Sequence, residues 1–331
     1  IKPGKEYFLN IYFTLKNPTI WADRGHVIAS DQLAWSNSTD AAASSNRTAP
    51  KFTEDEKTVT VQNGSIKAVF SRMSGTIVSL TVDGKQILDA KTGTEAGPRL
   101  TVMRAFVDND GWLSSGKGSG DTDANFYNYG LTQIHYHPGK IEAKTCDDGS
   151  VEVCAFVDVT GSKSAGFEHK AVWKFATDGT ATMTNNVSPY GHMPMALPRI
   201  GLSWVLDKSM ENMKWYGRGP WENYIDRKTG SFIGLYASPV TDQYEQYVRP
   251  QDNGYKSDVR WVEFTDAQGR GVRFAGDVPL FVQALHYDWE DLEFARHRNG
   301  QQRFRASIAE PKEIAAFAKG FRGVVVVDEA Y

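Results

Sequence analysis

Charged side chains gather in one stretch of the sequence, residues 215–258. Within ten of these positions, the carboxylates of Glu222 and Asp226 stand beside the guanidiniums of Arg218 and Arg227. Such groups can bind the polar atoms of a ligand, or they can order a loop through bidentate ion pairs. Nearby glycine and proline interrupt strand pairing, which favours a long surface loop, and such loops often carry function. Both interpretations stay open, and we predict that Glu222 or Asp226 lies within hydrogen-bond reach of an arginine.

Two further groups of polar residues could do chemistry. Residues 286–291 hold a histidine, two aromatic residues and three carboxylates, and Arg296-His297-Arg298 follows shortly after. This group is either a site or a loop with a short helix, predicted over Asp288–Arg298, that covers the end of a sheet. Residues 104–110 end in Asp108-Asn109-Asp110, which fits a turn, an Asx cap or a cation site, with a turn favoured.

The elements that must position these groups are strands. Residues 7–15 alternate apolar and polar, as in a half-buried strand, and residues 1–36 are predicted to be the end of a sandwich domain. Residues 37–50 are small and polar and are predicted to be a linker. Beyond residue 51 turn dipeptides recur between apolar runs, which favours type I′ hairpins. They are Asn63-Gly64, Asp83-Gly84, Asp148-Gly149 and Asp178-Gly179. We therefore predict one large antiparallel β-sandwich over residues 51–331, with a second short helix at Pro311–Lys319.

Composition excludes several function classes. The formal net charge of the 331 residues is −3, so no basic field exists to attract nucleic acid or an anionic membrane. The longest apolar runs are too short to cross a bilayer, and the sequence leaves a cytoplasmic or periplasmic location open. No nucleotide-binding glycine loop and no zinc spacing occur. Cys146 and Cys154 are expected to be free thiols, although a bridge across a hairpin stays open.

Several motifs occur in order along the chain and carry a family resemblance. They are Trp21-Ala22-x-x-Gly25-His26-x-Ile28-Ala29, Arg104-Ala105-x-x-Asp108-Asn109-Asp110, Gly217-Arg218-Gly219-Pro220-x-Glu222-Asn223-Tyr224-x-Asp226-Arg227, Tyr247-Val248-x-Pro250-Gln251-x-Asn253-Gly254, Asp258-Val259-Arg260-Trp261 and Ala295-Arg296-His297. Together they resemble the C-terminal part of the lactose-operon type β-galactosidases of glycoside hydrolase family 2, over about residues 1–305.

The resemblance implies a fold and an activity. It implies the end of an immunoglobulin-like domain followed by a large sandwich of the galactose mutarotase type. The activity is hydrolysis of terminal β-galactosides such as lactose with retention, which needs two carboxylates about 5 Å apart. In this family both are glutamates of a central barrel, and nothing in this sequence has the barrel's alternating strands and helices. We therefore expect no catalytic residue and no metal ligand in this chain. Candidate contacts to a galactose-like sugar are Arg218, Glu222, Asn223, Asp226, Trp289 and His297.

The resemblance also implies partners. The chain would adjoin the barrel of a β-galactosidase, which usually needs magnesium and often sodium and is commonly a homo-oligomer. The sequence departs from the family after about residue 305, where a glycine-rich loop with a tryptophan would reach the galactose site. Here residues 324–327 are four valines, which predict a buried or edge strand that completes no sugar site.

Two other hypotheses stay open on the same fold. One is a stand-alone aldose mutarotase or epimerase, with His192, His286 or His297 acting with Glu222 or Glu290 as acid and base. The other is a carbohydrate-binding module, in which Trp221, Trp289 or Trp112 serves as a stacking platform for a sugar.

Overall fold

The computed structural model describes residues 5–36, 48–89, 96–110, 129–194, 196–248, 250–294 and 323–329. Nearly all regular structure in these ranges is β-strand. The strands are β1 Tyr7–Thr14, β2 Val27–Ser36, β3 Lys51–Glu54, β4 Thr58–Asn63, β5 Ile66–Ser71, β6 Thr76–Val82, β7 Lys85–Gln86, β8 Arg99–Thr101, β9 Ile134–Thr145, β10 Val151–Gly161, β11 Ala165–Phe175, β12 Ala181–Gly191, β13 Gly201–Leu206, β14 Asn212–Gly219, β15 Phe232–Pro239, β16 Lys256–Thr265, β17 Gly271–Leu285 and β18 Gly323–Glu329. One short α-helix, α1, spans Trp289–Phe294, and 3-10 turns span Asp108–Asp110 and Val240–Gln243.

The described strands form antiparallel sheets, which confirms the all-β prediction. β1 and β2 form a ribbon, and β3 to β7 form a meander in sequence order. A second meander runs β12-β11-β10-β9, and the largest sheet has the order β15-β14-β16-β17-β18-β13-β8. None of the described helices is long and apolar enough to span a membrane.

The main core lies between the meanders and the largest sheet. Strands of all three contribute, and alternation places every second side chain inward, as in β10, where Val151, Val153 and Ala155 are buried. Aromatic residues interlock at the centre: Trp173 packs edge-on against both Phe70 and Trp204. Because the inner faces of the sheets pack against each other, the fold is a β-sandwich. The loops at the strand ends lie outside this packing and can form a site.

The predicted hairpin positions are correct, but their turn type is not uniform. All four dipeptides lie between paired antiparallel strands. Only Asp83-Gly84 has positive φ at both residues, 48° and 74°, as a type I′ turn requires. At the other three turns only the glycine is left-handed, because the loops are longer than two residues or shifted by one.

The predicted tail strand forms. β18 pairs with β17 on one side and β13 on the other, inside the largest sheet. Part of the helix predicted over 288–298 is present as α1, Trp289–Phe294. Residues 295–298, Pro311–Lys319 and the linker residues 37–47 lie outside the described residues. Both cysteines are free, as expected.

The ribbon β1–β2 contacts the largest sheet at β15. The side-chain amide of Gln32 donates to the carbonyl of Ile233 and accepts from its backbone N–H, at 2.9 and 2.7 Å. Arg260 on β16 holds Glu6, just before β1, through two bonds of 2.9 and 2.8 Å. These contacts fix one face of the ribbon. The division into an immunoglobulin-like end, a linker and a large sandwich stays a prediction.

Candidate functional site

The single long surface loop predicted within residues 215–258 is wrong, because Gly217 and Gly219 pair inside β14 and β15 intervenes. Two shorter loops at one end of the largest sheet carry most of the motif residues. The first, residues 220–231, joins β14 to β15, and the second, residues 244–255, leads from a 3-10 turn into β16. Gly254 must be glycine, because its φ is +80° and a Cβ would lie 2.6 Å from the carbonyl oxygen of Gln243. The backbone N–H of Asn223 donates to the carbonyl of Tyr255 at 2.8 Å, which brings the two loops into direct contact.

Glu222 joins the loops. Its buried carboxylate accepts from Arg227 at 2.5 Å, from the backbone N–H of Gly254 at 2.8 Å and from the hydroxyl of Tyr247. The bond to Glu222 raises the pKa of Arg227, and burial together with the same carboxylate raises the pKa of Tyr247. The predicted contact between a loop carboxylate and an arginine is therefore confirmed, and Glu222 is a structural anchor in this state.

Two fully buried asparagines fix the loops from below. Asn223 accepts from the backbone N–H and hydroxyl of Ser257, at 2.8 and 2.5 Å, and donates to the carbonyl of Trp221 at 2.9 Å. Asn253 accepts from the N–H of Glu245 at 3.0 Å and donates to the carbonyl of Gln251 at 2.8 Å. Each side-chain amide bonds to backbone groups that have no strand partner in the loops, and it thereby fixes the position of the loop around it.

Arg218 belongs to a separate ion pair. Its Nε donates to Asp258 at 2.5 Å, and its Nη1 donates to the carbonyls of Lys228 and Ser231 at 3.0 and 2.7 Å. Lys228 reaches the same carboxylate at 3.1 Å. Burial opposes the charged form of Asp258, but the hydrogen bonds from Arg218 and Lys228 prevail and lower its pKa. Arg218 therefore pairs with a residue 40 positions away and with neither loop carboxylate.

The other candidate sugar contacts are scattered. Asp226 is exposed, and its side chain makes no hydrogen bond or ion pair with another described residue. Trp289, on α1, is half-buried and packs against apolar clusters, so it offers no open face like that of an exposed tryptophan. His297 and Trp112 lie outside the described residues. The structure brings Glu222 and Asn223 together, and the sugar-binding role of all six residues stays a prediction.

An open pocket lies above the two loops. It has a volume of about 270 Å³ and is lined by Trp221, Glu222, Arg227, Glu245, Gln246 and Tyr247. Trp221 belongs to this lining and is 70% exposed. Glu245 and Gln246 were not among the predicted site residues, although they directly precede the motif at Tyr247. Their place in the pocket depends on how the second loop folds over the first.

Beneath the pocket lies a buried lysine that the motifs did not indicate. Lys256 is 2% exposed, donates to the carbonyl of Gly254 at 3.2 Å and lies 5.5 Å from the ring centre of Trp215. Burial lowers its pKa to about 8, although the charges of Glu222 and Glu245 act in the opposite direction. The lysine thus carries a destabilised positive charge at neutral pH.

The turn at Asp108–Asp110 and the helix α1 carry the other described polar groups that were predicted as candidate sites, and the backbone N–H of Asp108 donates to Gln251 of the second loop at 3.0 Å. Arg104 holds Asp110 through two bonds of 2.5 and 3.2 Å, which confirms the predicted turn at Asp108–Asp110. On α1, burial and Asp288 raise the pKa of Glu290 to about 8 and that of Asp291 to about 6. Within the described ranges, no group of three or more His, Cys, Asp or Glu side chains could hold a metal ion.

Two of the three histidines considered for acid–base chemistry, His192 and His286, do not meet the proposed glutamates, and His297 lies outside the described residues. His286 pairs with Glu211 at 3.0 Å, and His192 stacks on Tyr129 with ring centres 5.2 Å apart. Among the described residues, neither histidine forms a hydrogen bond or ion pair with Glu222 or Glu290. The acid–base pair that a mutarotase requires is therefore not assembled from these residues.

Comparison with known proteins gives consistent matches. A family model described as β-galactosidase small chain matches residues 62–308, and one described as β-galactosidase, domain 4, matches residues 1–36. The β-galactosidase of Priestia megaterium is 30% identical over 295 residues, 88% of this chain and 27% of that protein. The β-galactosidase of Streptococcus thermophilus is 26% identical over 327 residues, 90% of this chain and 29% of that protein. The chain thus spans less than a third of the length of the curated relatives it matches.

Proposed function

Because the chain belongs to the β-galactosidase small chain family, we propose that it is the C-terminal accessory part of a β-galactosidase. It would adjoin the barrel domain, shape the rim of the active site and help assemble the enzyme. The assembled protein would hydrolyse terminal β-galactosides such as lactose, with both catalytic glutamates on the barrel. Magnesium and sodium ligands would belong to other domains, and a homo-oligomeric enzyme is expected.

The observation that carries this proposal is a bare apolar face on the ribbon β1–β2. The opposite face contacts the largest sheet, where Gln32 bonds to Ile233 and Tyr12, itself 55% exposed, packs on Phe232 with ring centres 6.1 Å apart. On the ribbon, Leu9, Phe13, Leu33 and Trp35 are between 45% and 67% exposed. A two-stranded ribbon is marginally stable alone, and its apolar face needs further strands to cover it.

The partner that fits this face is the remainder of a β-sandwich. Residues 1–36 match β-galactosidase domain 4, and β1 and β2 are paired antiparallel strands with free outer edges among the described residues. Additional strands of the same domain would pair at those edges and bury the apolar side chains. The small chain would thereby be joined to the domains that precede it in a β-galactosidase.

Glu222 is poorly suited to attack or protonate a sugar. Retaining hydrolysis requires one carboxylate that acts as a nucleophile and a second that gives and takes a proton, about 5 Å apart. The oxygens of Glu222 already accept bonds from Arg227, Tyr247 and Gly254, and moving them would release the two loops from each other. This supports an accessory role for the chain.

The first test concerns the isolated chain. We expect the purified chain to show no hydrolysis of o-nitrophenyl β-galactoside above a mock preparation from the same host. Turnover that survives removal of the host enzyme and follows the chain through several columns would contradict the proposal.

The second test concerns the ribbon. The DNA upstream of the codon for Ile1 is sequenced, and an open frame encoding a barrel is expected; its absence would refute the proposal. The encoded protein is then produced together with this chain. The amount of complex between the two and its β-galactosidase activity are measured. Phe13→Asp and Trp35→Asp should weaken assembly and activity together, whereas Val278→Asp, a similarly exposed site on β17, should leave both unchanged.

A further inference from the structure

Three side chains of the loop pocket are available to a ligand. The ring of Trp221 is largely bare, and the carboxylate of Glu245 and the amide of Gln246 make no hydrogen bond or ion pair with another described residue. These groups contrast with Glu222 and Tyr247, which bond to each other in the pocket wall. The pocket therefore presents one flat apolar surface and two unused polar groups.

The pocket is also held in shape without a ligand. The carbonyl of Trp221 accepts from buried Asn223, and the backbone N–H of Glu245 donates to buried Asn253. Glu222 ties the loops of these two residues to each other through Gly254. A ligand would therefore meet a wall and two polar groups already in position, so little ordering would oppose binding.

The lining selects the chemistry of the ligand. Glu222 and Glu245 contribute two negative charges, and Arg227 in the wall and the adjoining Lys256 contribute two positive ones. The site therefore has no net charge that would favour an anion or a cation. The ligand that fits is therefore neutral. It needs one apolar face to lie on the indole of Trp221, and hydroxyl groups that donate to the carboxylate of Glu245 and the amide oxygen of Gln246.

We propose that this pocket binds one neutral pyranose ring. The less polar face of the sugar lies on Trp221, two neighbouring hydroxyls donate to Glu245, and Gln246 bonds a third. A volume of about 270 Å³ is just below the range of about 300–1,000 Å³ typical of pockets for drug-sized ligands, which suits a single ring. Because the pocket is open, affinity in the millimolar range is expected.

Saturation-transfer NMR on the 331-residue chain tests the proposal. The probes are methyl β-D-galactopyranoside, methyl β-D-glucopyranoside and methyl α-D-mannopyranoside, with choline and inorganic sulfate as charged comparisons. At least one glycoside should bind, and Trp221→Ala should weaken that binding at least tenfold. Trp21→Ala is the matched control, because Trp21 is 64% exposed on a different part of the chain and should not affect binding.

Glu245→Gln and Gln246→Ala should each weaken binding several-fold. Gln246→Ala should leave the melting temperature unchanged, because its side chain bonds to no other described residue, whereas Glu245→Gln removes a charge that supports Lys256 and should lower it slightly. The proposal is overturned if no glycoside binds at concentrations well above the millimolar range, if Trp221→Ala binds like the parent chain, or if only choline or sulfate binds. The measurement involves neither hydrolysis nor assembly. A negative result would thus count against the pocket and leave the accessory role untouched.

Discussion

Replacing the buried Lys256 by methionine is expected to stabilise the protein at neutral pH. Methionine keeps the length of the side chain and packs favourably on the ring of Trp215, which already lies 5.5 Å from the lysine nitrogen. Glu222 retains Arg227, Tyr247 and the Gly254 N–H as partners, so the substitution leaves no carboxylate unpaired. The change therefore removes mainly the buried charge.

The size of the effect follows from the pKa of Lys256. Burial lowers this pKa from 10.5 to about 8, and about 2.5 pKa units correspond to about 3 kcal/mol. Loss of the bond to the Gly254 carbonyl and of the contact with Trp215 offsets about 1 kcal/mol. A net gain of about 2 kcal/mol in the free energy of unfolding is expected at pH 7.

The pH dependence distinguishes this cause from better packing alone. Between pH 8 and 10.5 the unfolded chain keeps the lysine proton while the folded chain releases it, so the parent chain gains stability relative to the variant as pH rises. The advantage of Lys256→Met should fall from about 2 kcal/mol at pH 7 to near zero at pH 10.

Urea unfolding followed by tryptophan fluorescence at pH 6 to 10 measures this difference, and ionisation of the tyrosines shared by both proteins largely cancels. Lys214→Met, on an exposed position of β14, is the control and should change stability little at any pH. An advantage of Lys256→Met that does not change between pH 7 and 10, or a less stable variant at pH 7, would refute the argument.

Other substitutions test the two loops through the same urea measurement. Arg218→Ala removes one of two cations from Asp258 and the Arg218 hydrogen bond to the carbonyl of Ser231, whereas the carbonyl of Lys228 keeps the Ser231 N–H, so about 1–3 kcal/mol of stability should be lost. Arg273→Ala breaks an exposed pair with Glu263 and should cost less than about 1 kcal/mol; equal losses would contradict the role given to Arg218. Asn223→Ala should cost about 2–3 kcal/mol, because Ser257 loses its acceptor in a buried site. Asp226→Ala, three positions away and exposed, should stay within about 0.5 kcal/mol, and a similar loss in both variants would show that the loop is not anchored at Asn223.

Local patterns predicted local structure well. The alternation of β1, the turn dipeptides and the valine run of β18 each depend on a few neighbouring residues, and the strands form there. The pair of Glu222 with Arg227 was also accessible, because five positions separate the two residues along one loop. The family resemblance supplied the remainder of the fold class.

Contacts between distant segments were not accessible in this way. Arg218 pairs with Asp258 because β14 and β16 are adjacent in the sheet. The alternation of apolar and polar residues along one strand cannot reveal this strand order. Lys256 is buried although its residue type favours the surface, because it begins β16 directly under the paired loops. Glu245 and Gln246 belong to the pocket through the same long-range arrangement. The pocket is thus a product of sheet order, which no short motif encodes.

The position of β18 has a consequence for how the protein is made. This strand follows all other described strands in the sequence, yet it lies between β17 and β13. During synthesis the edges of β17 and β13 that face β18 therefore stay unpaired until residues 323–329 have left the ribosome. Such edges are templates for pairing between chains, and the late, long-range closure is slow. We expect chaperones to bind a nascent chain of this kind. A separate peptide with the β18 sequence would compete with β18 of the chain for the same place in the sheet.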